Sequence, residues 1–503
     1  MPDSILRAAA FAVGSSIVVL GCANSDSAPD GGSVPIDTQG SDGAVVADGS
    51  RGVFDGTSPT DATGSENRGS SSGGSGGGSG GGSTTDSASG MDASSGDASG
   101  FDGSGNSDTG IGDSGKESAT SDGAMIGPQL LSVVGNQLMT GGKPVRLIGM
   151  NYPGPEYMCL GGSTNGIFQG PSDQTLITAI KGQQGHAAWN VNAIRVPLNE
   201  DCWLGINGVP AVQSGTAYQN AVITFVKMLR QSGFFVILDL HWNAPAGYLA
   251  DAQQPMADAD HSPAFWRSVA SIVNANTNRD TGILFDLYNE PSIYPPSATL
   301  TGTYPNDQNW WSCWQNGGCQ VTMSNGVAGG MPSPSSPLYP NPLPPKSPSW
   351  QVAGMQSLVD AVRSTGATNV LMLGGLGVAN ILDHWLEHKP TDTLSPPQIA
   401  ASFHQYDVDT GTDVNYWNAT VAPVAQMVPV ITGELGETTG GHAFTDGYMA
   451  WADQHGVSYL AWAFNPYGSP ALITGFNGAP TAFGAGYQSH IATLPVVPAP
   501  LPM

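Results

Sequence analysis

Eight runs of continuous apolar residues, separated by longer helix-like stretches, constrain the fold of this chain more than any other feature. Apolar character that does not alternate indicates strands buried on both faces, as parallel strands beneath helices are. The runs lie at 145–151, 191–196, 234–240, 283–288, 369–375, 399–404, 428–433 and 458–464. The helix-like stretches lie at about 173–186, 216–232, 263–276, 351–365, 378–388, 417–426, 444–455 and 482–493.

Eight strand–helix repeats without a domain-sized gap predict an α/β fold, a (β/α)8 TIM barrel. A doubly wound open sheet is the alternative architecture. It lacks its usual support, because no GxGxxG motif follows the first apolar run. We therefore predict the barrel and expect no nucleotide cofactor.

The barrel is preceded by a long segment of a different composition. Residues 23–124 are mostly Gly, Ser, Asp, Thr and Ala, and they include the run SSSGGSGGGSGGGS. The few apolar side chains of this segment cannot offset the conformational entropy that the chain would lose on folding. We therefore predict a disordered linker. The remaining residues, 125–503, have the size of one barrel domain with insertions.

The formal net charge of −25 does not indicate a cationic partner. The linker alone carries sixteen acidic residues against three basic ones, which keeps a Gly/Ser segment solvated and extended. The chain contains no basic patch for binding nucleic acid.

The N-terminus is typical of an exported protein. Arg7 precedes an apolar stretch, residues 8–20, that is too short to span a bilayer but fits a signal peptide. Val19-Leu20-Gly21-Cys22 resembles a bacterial lipobox, in which Cys22 would become the lipidated first residue; the signal peptide with its lipobox cysteine spans residues 1–22. Ala23 after this cysteine favours the outer membrane or cell surface. Cleavage without lipidation, which would give a secreted protein, is the alternative.

The remaining four cysteines suggest two disulfides in an exported domain, among three possible connectivities. Cys313 and Cys319 flank a short QNGG turn and are expected to close a small loop. Cys159 would then pair with Cys202. A zinc site is the alternative, but no CxxC or matching histidine spacing supports it.

Two glutamates lie at the C-terminal ends of apolar runs far apart in sequence. Glu290 follows the fourth run in Asn289-Glu290-Pro291, and Glu434 ends the seventh in PVITGELGE. In a barrel these ends meet at one face, and two carboxyl groups ~5–5.5 Å apart can hydrolyse a glycosidic bond with retention. We predict that Glu290 is the acid/base, that Glu434 is the nucleophile and raises the pKa of Glu290, and that Asn289 donates to the sugar 2-OH.

Five further side chains at strand ends are candidate substrate-binding residues. Arg195 lies within a buried run and needs a carboxylate partner, for which Glu434 is the simplest choice. Trp462 offers a flat apolar platform for a sugar ring, although it could also be core. His241, His404 and Tyr406 could be packing residues individually, but together they occupy matching barrel positions.

Other acidic residues admit structural explanations. Glu437 lies three residues past Glu434, and Glu200 lies in a turn beside Cys202. Asp258, Asp260 and His261 in ADADH could suggest a metal cluster, but a helix-capping loop is favoured and we expect no metal. The connection 292–348 is unusually long; we predict that it forms a wall of the cleft that carries the aromatic residues Trp310, Trp311 and Trp314.

The series AIRVP, LDLHW, NEP, HxY, ITGELG and Trp462 resembles glycoside hydrolase family 5, a retaining (β/α)8 family that includes many cellulases. The resemblance covers roughly residues 125–494. It implies that Glu290 is the acid/base and Glu434 the nucleophile, and that Arg195, His241, Asn289, His404, Tyr406 and Trp462 line the site.

The resemblance favours an endo-acting β-1,4-glucanase. The acidic composition favours a neutral polysaccharide as substrate, and we expect a monomer. β-Mannan is the main alternative substrate. A carbohydrate-binding surface protein without catalytic activity is the alternative from a different functional class.

Overall fold

A closed barrel of eight parallel strands forms the centre of the protein. The computed structural model describes residues 130–161, 166–183, 185–293, 308–322 and 349–502. The strands in this part of the chain are β1 (Ser132–Val134), β2 (Gln137–Thr140), β3 (Lys143–Val145), β4 (Ile148–Asn151), β5 (Ala193–Asn199), β6 (Phe235–Trp242), β7 (Ile283–Asp286), β8 (Gln320–Thr322), β9 (Ser349–Gln351), β10 (Leu371–Gly374), β11 (Ile399–Tyr406), β12 (Val430–Gly436) and β13 (Ser458–Ala461).

The barrel follows chain order and closes where β13 pairs with β4. Each of its eight strands overlaps one of the eight apolar runs, which confirms the predicted (β/α)8 fold. Every residue of β5 and of β12 is buried, as expected for strands covered on both faces. The C-terminal ends of all eight strands therefore meet at one mouth.

Helices lie between the barrel strands along the chain. They are α1 (Pro155–Met158), α2 (Gln174–Ile180), α3 (Glu200–Leu204), α4 (Thr216–Gln231), α5 (Ser262–Asn276), α6 (Gln308–Asn316), α7 (Met355–Arg363), α8 (Trp385–His388), α9 (Val414–Tyr416), α10 (Ala422–Ala425), α11 (Ala443–His455) and α12 (Ala482–Ile491). In the described residues, no helix combines the length and apolarity that crossing a bilayer requires.

Two predicted helices differ from the structure. The stretch 378–388 is helical only in α8, because a turn and an isolated bridge between Leu376 and Ile381 occupy its first half. The stretch 417–426 begins as a turn of π-helix at Trp417–Val421 and becomes α10. In addition, part of the long connection after β7 is ordered as α6 and as the antiparallel pair of β8 and β9.

The N-terminal strands β1, β2 and β3 form an antiparallel sheet at the end of the barrel opposite the mouth. Leu131, Val133 and Leu138 belong to one buried apolar cluster with inward-facing barrel residues, among them Phe235 and Leu284. This sheet therefore closes the bottom of the barrel.

The disulfides Cys159–Cys202 and Cys313–Cys319 both form, as predicted. The first joins the connection after β4 to α3, and the second joins α6 to the turn before β8. The predicted signal peptide, Cys22 and the predicted linker 23–124 lie outside the described residues.

Candidate active site

Glu290 and Glu434 meet at the mouth of the barrel. Glu434 lies in β12, and Glu290 follows the end of β7 by four residues. A carboxylate oxygen of each lies within 4.8 Å of the other and of a ring nitrogen of His404. The fold thus brings together two carboxyl groups that are 144 positions apart in the sequence.

An irregularity in β12 places Glu434 at this mouth. Phe403 pairs with Thr432, but the next residue of β11, His404, pairs with Glu434, so Gly433 is an additional residue in β12. Such bulges bend a strand locally and redirect a side chain. A side chain at position 433 would bring its Cβ to 2.9 Å from Nε2 of His404, so glycine is required for this close approach.

Arg195 connects the nucleophile candidate, Glu434, to two buried aspartates. Its guanidinium, which is fully buried, donates to Oε1 of Glu434 over 2.8 Å and to Asp286 over 3.0 Å, and it lies 3.0 Å from Asp239. Burial alone would lower the pKa of this guanidinium, but the three carboxylates reverse the effect and raise it. The predicted pairing of Arg195 with Glu434 is therefore confirmed.

The other oxygen of Glu434 also accepts a hydrogen bond. The hydroxyl of Tyr406 donates to Oε2 over 2.6 Å, and Nδ1 of His404 lies 3.7 Å from the same oxygen. Donors that contact both carboxylate oxygens hold the carboxylate of Glu434 in one orientation.

Glu290 lies in a different environment. About 20% of its side chain is exposed, and Oε1 lies 3.1 Å from Nδ1 of His404. Enclosure by the protein raises the pKa of this carboxyl to about 7, against a lowering effect of Arg195 and with a smaller contribution from Asp239. The pKa is raised as predicted, but burial is its main cause rather than the charge of Glu434.

Asn289 is held by two polar neighbours. Its Oδ1 accepts a hydrogen bond from Arg195 over 2.8 Å, which fixes the orientation of the amide because a guanidinium can only donate. Its Nδ2 donates to Oε1 of Gln253 over 2.9 Å, and Nε2 of Gln253 donates to the backbone oxygen of Glu290 over 3.3 Å. Gln253 thus contacts both residues of the predicted catalytic motif.

His241 and Trp462 form an aromatic pair. Their rings stack with an interplanar angle of 10° and centroids 5.5 Å apart. Nδ1 of His241 lies 2.6 Å from Oδ2 of Asp239, an oxygen that Arg195 also contacts. Burial lowers the pKa of both His241 and His404 to about 3, so both rings are neutral near pH 7.

Four supporting residues were not identified from the sequence. Asp239 and Asp286 are charged residues inside apolar runs, the same signal that drew attention to Arg195. Asn151 ends β4, and its Oδ1 accepts from Arg195 over 3.0 Å. Gln253 lies in the connection after β6, where no periodic pattern marks it.

The prediction that three tryptophans line the cleft is wrong. Trp310, Trp311 and Trp314 are fully buried. Nε1 of Trp314 donates to the backbone oxygen of Gly374, and Trp311 packs against Trp314 and the ring of His388. These aromatic side chains hold α6 to the barrel and are not available to stack on sugar rings.

The acidic residues outside the site have structural roles. Oε2 of Glu437 accepts from the backbone N–H groups of Phe444 and Thr445 and thereby caps α11. Asp258 accepts from the backbone N–H of His261, the residue directly before α5, although no side chain caps this helix. Asp260 instead accepts from the backbone N–H of Ala246.

Comparison with known protein families identifies the family of the chain. A family model described as Cellulase (glycosyl hydrolase family 5) matches residues 142–468, which include the candidate catalytic and substrate-binding residues. The chain belongs to glycoside hydrolase family 5. It is therefore a glycoside hydrolase, and the sequence resemblance is confirmed at the level of the family.

Solved structures that the chain resembles include glucanases and a mannanase. A β-glucanase of Saccharophagus degradans is 20% identical, with a TM-score of 0.48 over 72% of this chain and 92% of its own. An endoglucanase catalytic domain of Thermobifida fusca and a β-mannanase of Thermomonospora fusca are each 16% identical, with TM-scores of 0.45 over 73% of this chain and 98% of theirs. No curated protein matches the chain.

Proposed function

We propose that this family 5 glycoside hydrolase is an endo-acting retaining enzyme that cleaves β-1,4-glucan by double displacement. The observation that carries the proposal is the approach of Glu290 and Glu434 to within 4.8 Å at their nearest oxygens. Retaining enzymes hold the two carboxyl groups ~5–5.5 Å apart, whereas inverting enzymes leave ~6.5–9.5 Å for a water molecule.

In the first step, a carboxylate oxygen of Glu434 attacks the anomeric carbon while Glu290 gives its proton to the glycosidic oxygen, and the bond between that oxygen and the anomeric carbon breaks. In the second step, the ionised Glu290 takes a proton from water, and the water oxygen displaces Glu434 from the anomeric carbon. The raised pKa of Glu290, about 7, suits a group that must both give and take a proton near neutral pH.

The neighbouring side chains support the same two steps. Arg195 and Tyr406 stabilise the charge that returns to Glu434 when the intermediate is hydrolysed. Asn289 uses one hydrogen of Nδ2 for Gln253, and the second is assigned to the sugar 2-OH. The stacked rings of His241 and Trp462 provide an apolar face for the sugar.

The stereochemistry of the first product tests the mechanism. Proton NMR during early hydrolysis of a soluble cello-oligosaccharide is expected to show the new reducing end in the β configuration. A Glu434→Gln variant is expected to form no product, and its folding is checked by circular dichroism. An α anomer as first product, or unchanged activity of Glu434→Gln, would refute the assignment.

The choice of β-1,4-glucan rests on the cellulase description of the matching family and on the acidic character of the chain, which disfavours anionic polysaccharides. Initial rates of reducing-end release from carboxymethylcellulose and galactomannan, at equal mass concentration, test this choice. A higher rate on galactomannan would assign the enzyme to β-mannan instead. A fall in viscosity that precedes most reducing-end release is expected for endo action.

We further propose that the enzyme is exported and anchored by a lipid on Cys22, with residues 23–124 as a flexible tether of the catalytic domain, 125–503. A coil of about 100 residues has a root-mean-square end-to-end distance of ~50–60 Å. A Cys22→Ser variant is expected to move activity from the membrane fraction to the soluble fraction. Activity that stays with the membrane in this variant would contradict the lipid assignment.

A further inference from the structure

Glu200, Asp258 and His261 form a cluster outside the catalytic site. Glu200 is the first residue of α3, directly after β5, and Asp258 and His261 lie just before α5. One ligand atom of each residue lies within 4.8 Å of those of the other two. The sequence motif ADADH suggested a cluster of Asp258, Asp260 and His261. In the structure, the third member of the cluster is Glu200 and not Asp260.

In the part of the chain that the structure describes, neither buried carboxyl group of the cluster forms an ion pair with an arginine or a lysine. Glu200 and Asp258 are both completely buried. Among the described residues, the basic group near them is the ring of His261, with Nδ1 at 3.9 Å from Glu200 and 3.7 Å from Asp258. Buried carboxylates are normally paired with a cation or bound to a metal, because leaving them uncompensated is costly.

One oxygen of Glu200 has no hydrogen-bond partner in the described part of the chain. Oε2 accepts from the hydroxyl of Ser262 over 2.6 Å, but Oε1 is buried and accepts from no donor. This is the oxygen that lies 3.9 Å from Nδ1 of His261. By contrast, Asp258 accepts from the backbone N–H of His261 and from the amide of Asn243.

We propose that Oε1 of Glu200, Oδ1 of Asp258 and Nδ1 of His261 bind a divalent transition-metal ion, Zn²⁺ or Mn²⁺. Two atoms that each lie ~2.1 Å from one metal can be at most ~4.2 Å apart. The distances of 3.9 and 3.7 Å from His261 satisfy this limit. An imidazole beside two carboxylates favours these ions over Ca²⁺ and Mg²⁺, which prefer oxygen ligands alone.

The surroundings are compatible with metal binding. The side chain of His261 is 22% exposed, so an ion can reach the cluster from solvent and water can complete its coordination. Nδ1 now lies 3.4 Å from the backbone oxygen of Ala244, a weak contact that it would give up to bind a metal.

The proposed ion site is connected by hydrogen bonds to the segment that carries the acid/base. Oδ2 of Asp258 accepts from Asn243 over 2.9 Å, and Oδ1 of Asn243 accepts from the hydroxyl of Tyr288 over 2.9 Å. Tyr288 directly precedes Asn289 and Glu290. The role that follows is structural: the ion fixes Asp258 and, through this chain of hydrogen bonds, stabilises the segment that carries the acid/base.

The test uses the full-length protein without a polyhistidine tag, treated with EDTA and then given ZnCl₂ or MnCl₂. Metal content after desalting and the melting temperature are measured for the wild type, Glu200→Gln and His261→Gln. Asp260→Asn is the matched control in the same loop. Glu434→Gln is the control for the catalytic centre, where Glu290, His404 and Glu434 also lie close enough to hold an ion.

The expected result is about one equivalent of Zn²⁺ or Mn²⁺ in the wild type, with a higher melting temperature than the EDTA-treated protein. Both Glu200→Gln and His261→Gln are expected to lose the ion and the stabilisation, whereas both controls keep them. If Glu200→Gln does not fold, the result for His261→Gln decides the test, because the His261 side chain is partly exposed in the wild type. Failure of the wild type to retain an ion, retention by His261→Gln, or loss in Glu434→Gln alone would overturn the proposal.

Discussion

The hydroxyl of Tyr406 donates a hydrogen bond to Oε2 of Glu434 over 2.6 Å, while Arg195 donates to Oε1 of the same carboxylate over 2.8 Å. Each of these contacts fixes one oxygen, so together they set the orientation of the carboxylate plane in the mouth of the barrel. The tyrosine comes from β11 and the glutamate from β12, two neighbouring strands.

Replacement of Tyr406 by phenylalanine is expected to lower kcat by about 10- to 100-fold, because a hydrogen bond to a charged group contributes about 1.5–3 kcal/mol. Steady-state kinetics on a soluble cello-oligosaccharide measure the effect. Tyr416→Phe is the matched control, since that hydroxyl donates to the backbone oxygen of Asn380. An unchanged kcat in Tyr406→Phe would show that the hydroxyl does not assist Glu434.

The value of kcat/KM is expected to fall above about pH 7, because Glu290 must be protonated in the first step and its pKa is raised to about 7. An aryl glycoside whose leaving group needs no proton is expected to lack this fall. A profile that is the same for both substrates would argue against Glu290 as the acid.

The raised pKa of Glu290 also affects the stability of the fold, so the pH profile needs a control for unfolding. The folded protein binds the Glu290 proton more tightly than the unfolded chain, so this contribution to stability is lost as the pH rises from about 4.5 to about 7. Circular dichroism from about pH 4.5 to the highest pH assayed must therefore show that the enzyme remains folded where its activity falls.

Replacement of Gln253 by alanine is expected to lower kcat about 3- to 10-fold with little change in KM, because a neutral hydrogen bond contributes about 0.5–1.5 kcal/mol. The variant removes the acceptor for Asn289 and a donor to the backbone of Glu290. Gln219→Ala is the control, since that amide contacts the backbone oxygen of Trp203. A loss of activity explained by a lower melting temperature alone would contradict a positioning role.

Removal of the Cys159–Cys202 disulfide by paired alanine substitutions is expected to lower the free energy of unfolding by about 4 kcal/mol from loop closure. The sequence separation is 43 for this disulfide and 6 for Cys313–Cys319, for which the same relation gives about 2 kcal/mol. Denaturant unfolding of both double variants measures the order. An equal loss of unfolding free energy in the two variants, or a larger loss for Cys313–Cys319, would show that loop closure does not determine how much each disulfide stabilises the protein.

The barrel strands could be predicted because burial on both faces leaves a direct record, a run of apolar residues, in the sequence. The sheet of β1–β3 could not, because its strands have three or four residues and mix exposed with buried positions. In α6, the sequence indicates an aromatic segment but not which face turns inward. Trp310, Trp311 and Trp314 were therefore placed in the cleft, whereas the structure buries them.

The same distinction applies to the site. Polar residues that interrupt or end an apolar run, such as Arg195 and Glu434, can be recognised from the sequence alone. Gln253 reaches Asn289 only through the path of a connection that has no periodic pattern, and Glu200 meets Asp258 only because α3 and α5 pack together. Contacts of this kind depend on tertiary structure and require coordinates.

The position of the first described residues has a practical consequence. The backbone N–H of Leu130 donates to the hydroxyl of Thr281, two residues before β7 begins, so the polypeptide joins the barrel at the N-terminal ends of its strands. A solid support or fusion partner coupled directly at this point would lie at the opposite end of the barrel from the opening that contains Glu290 and Glu434. Attachment through that end is therefore the orientation of choice for an immobilised form of the enzyme.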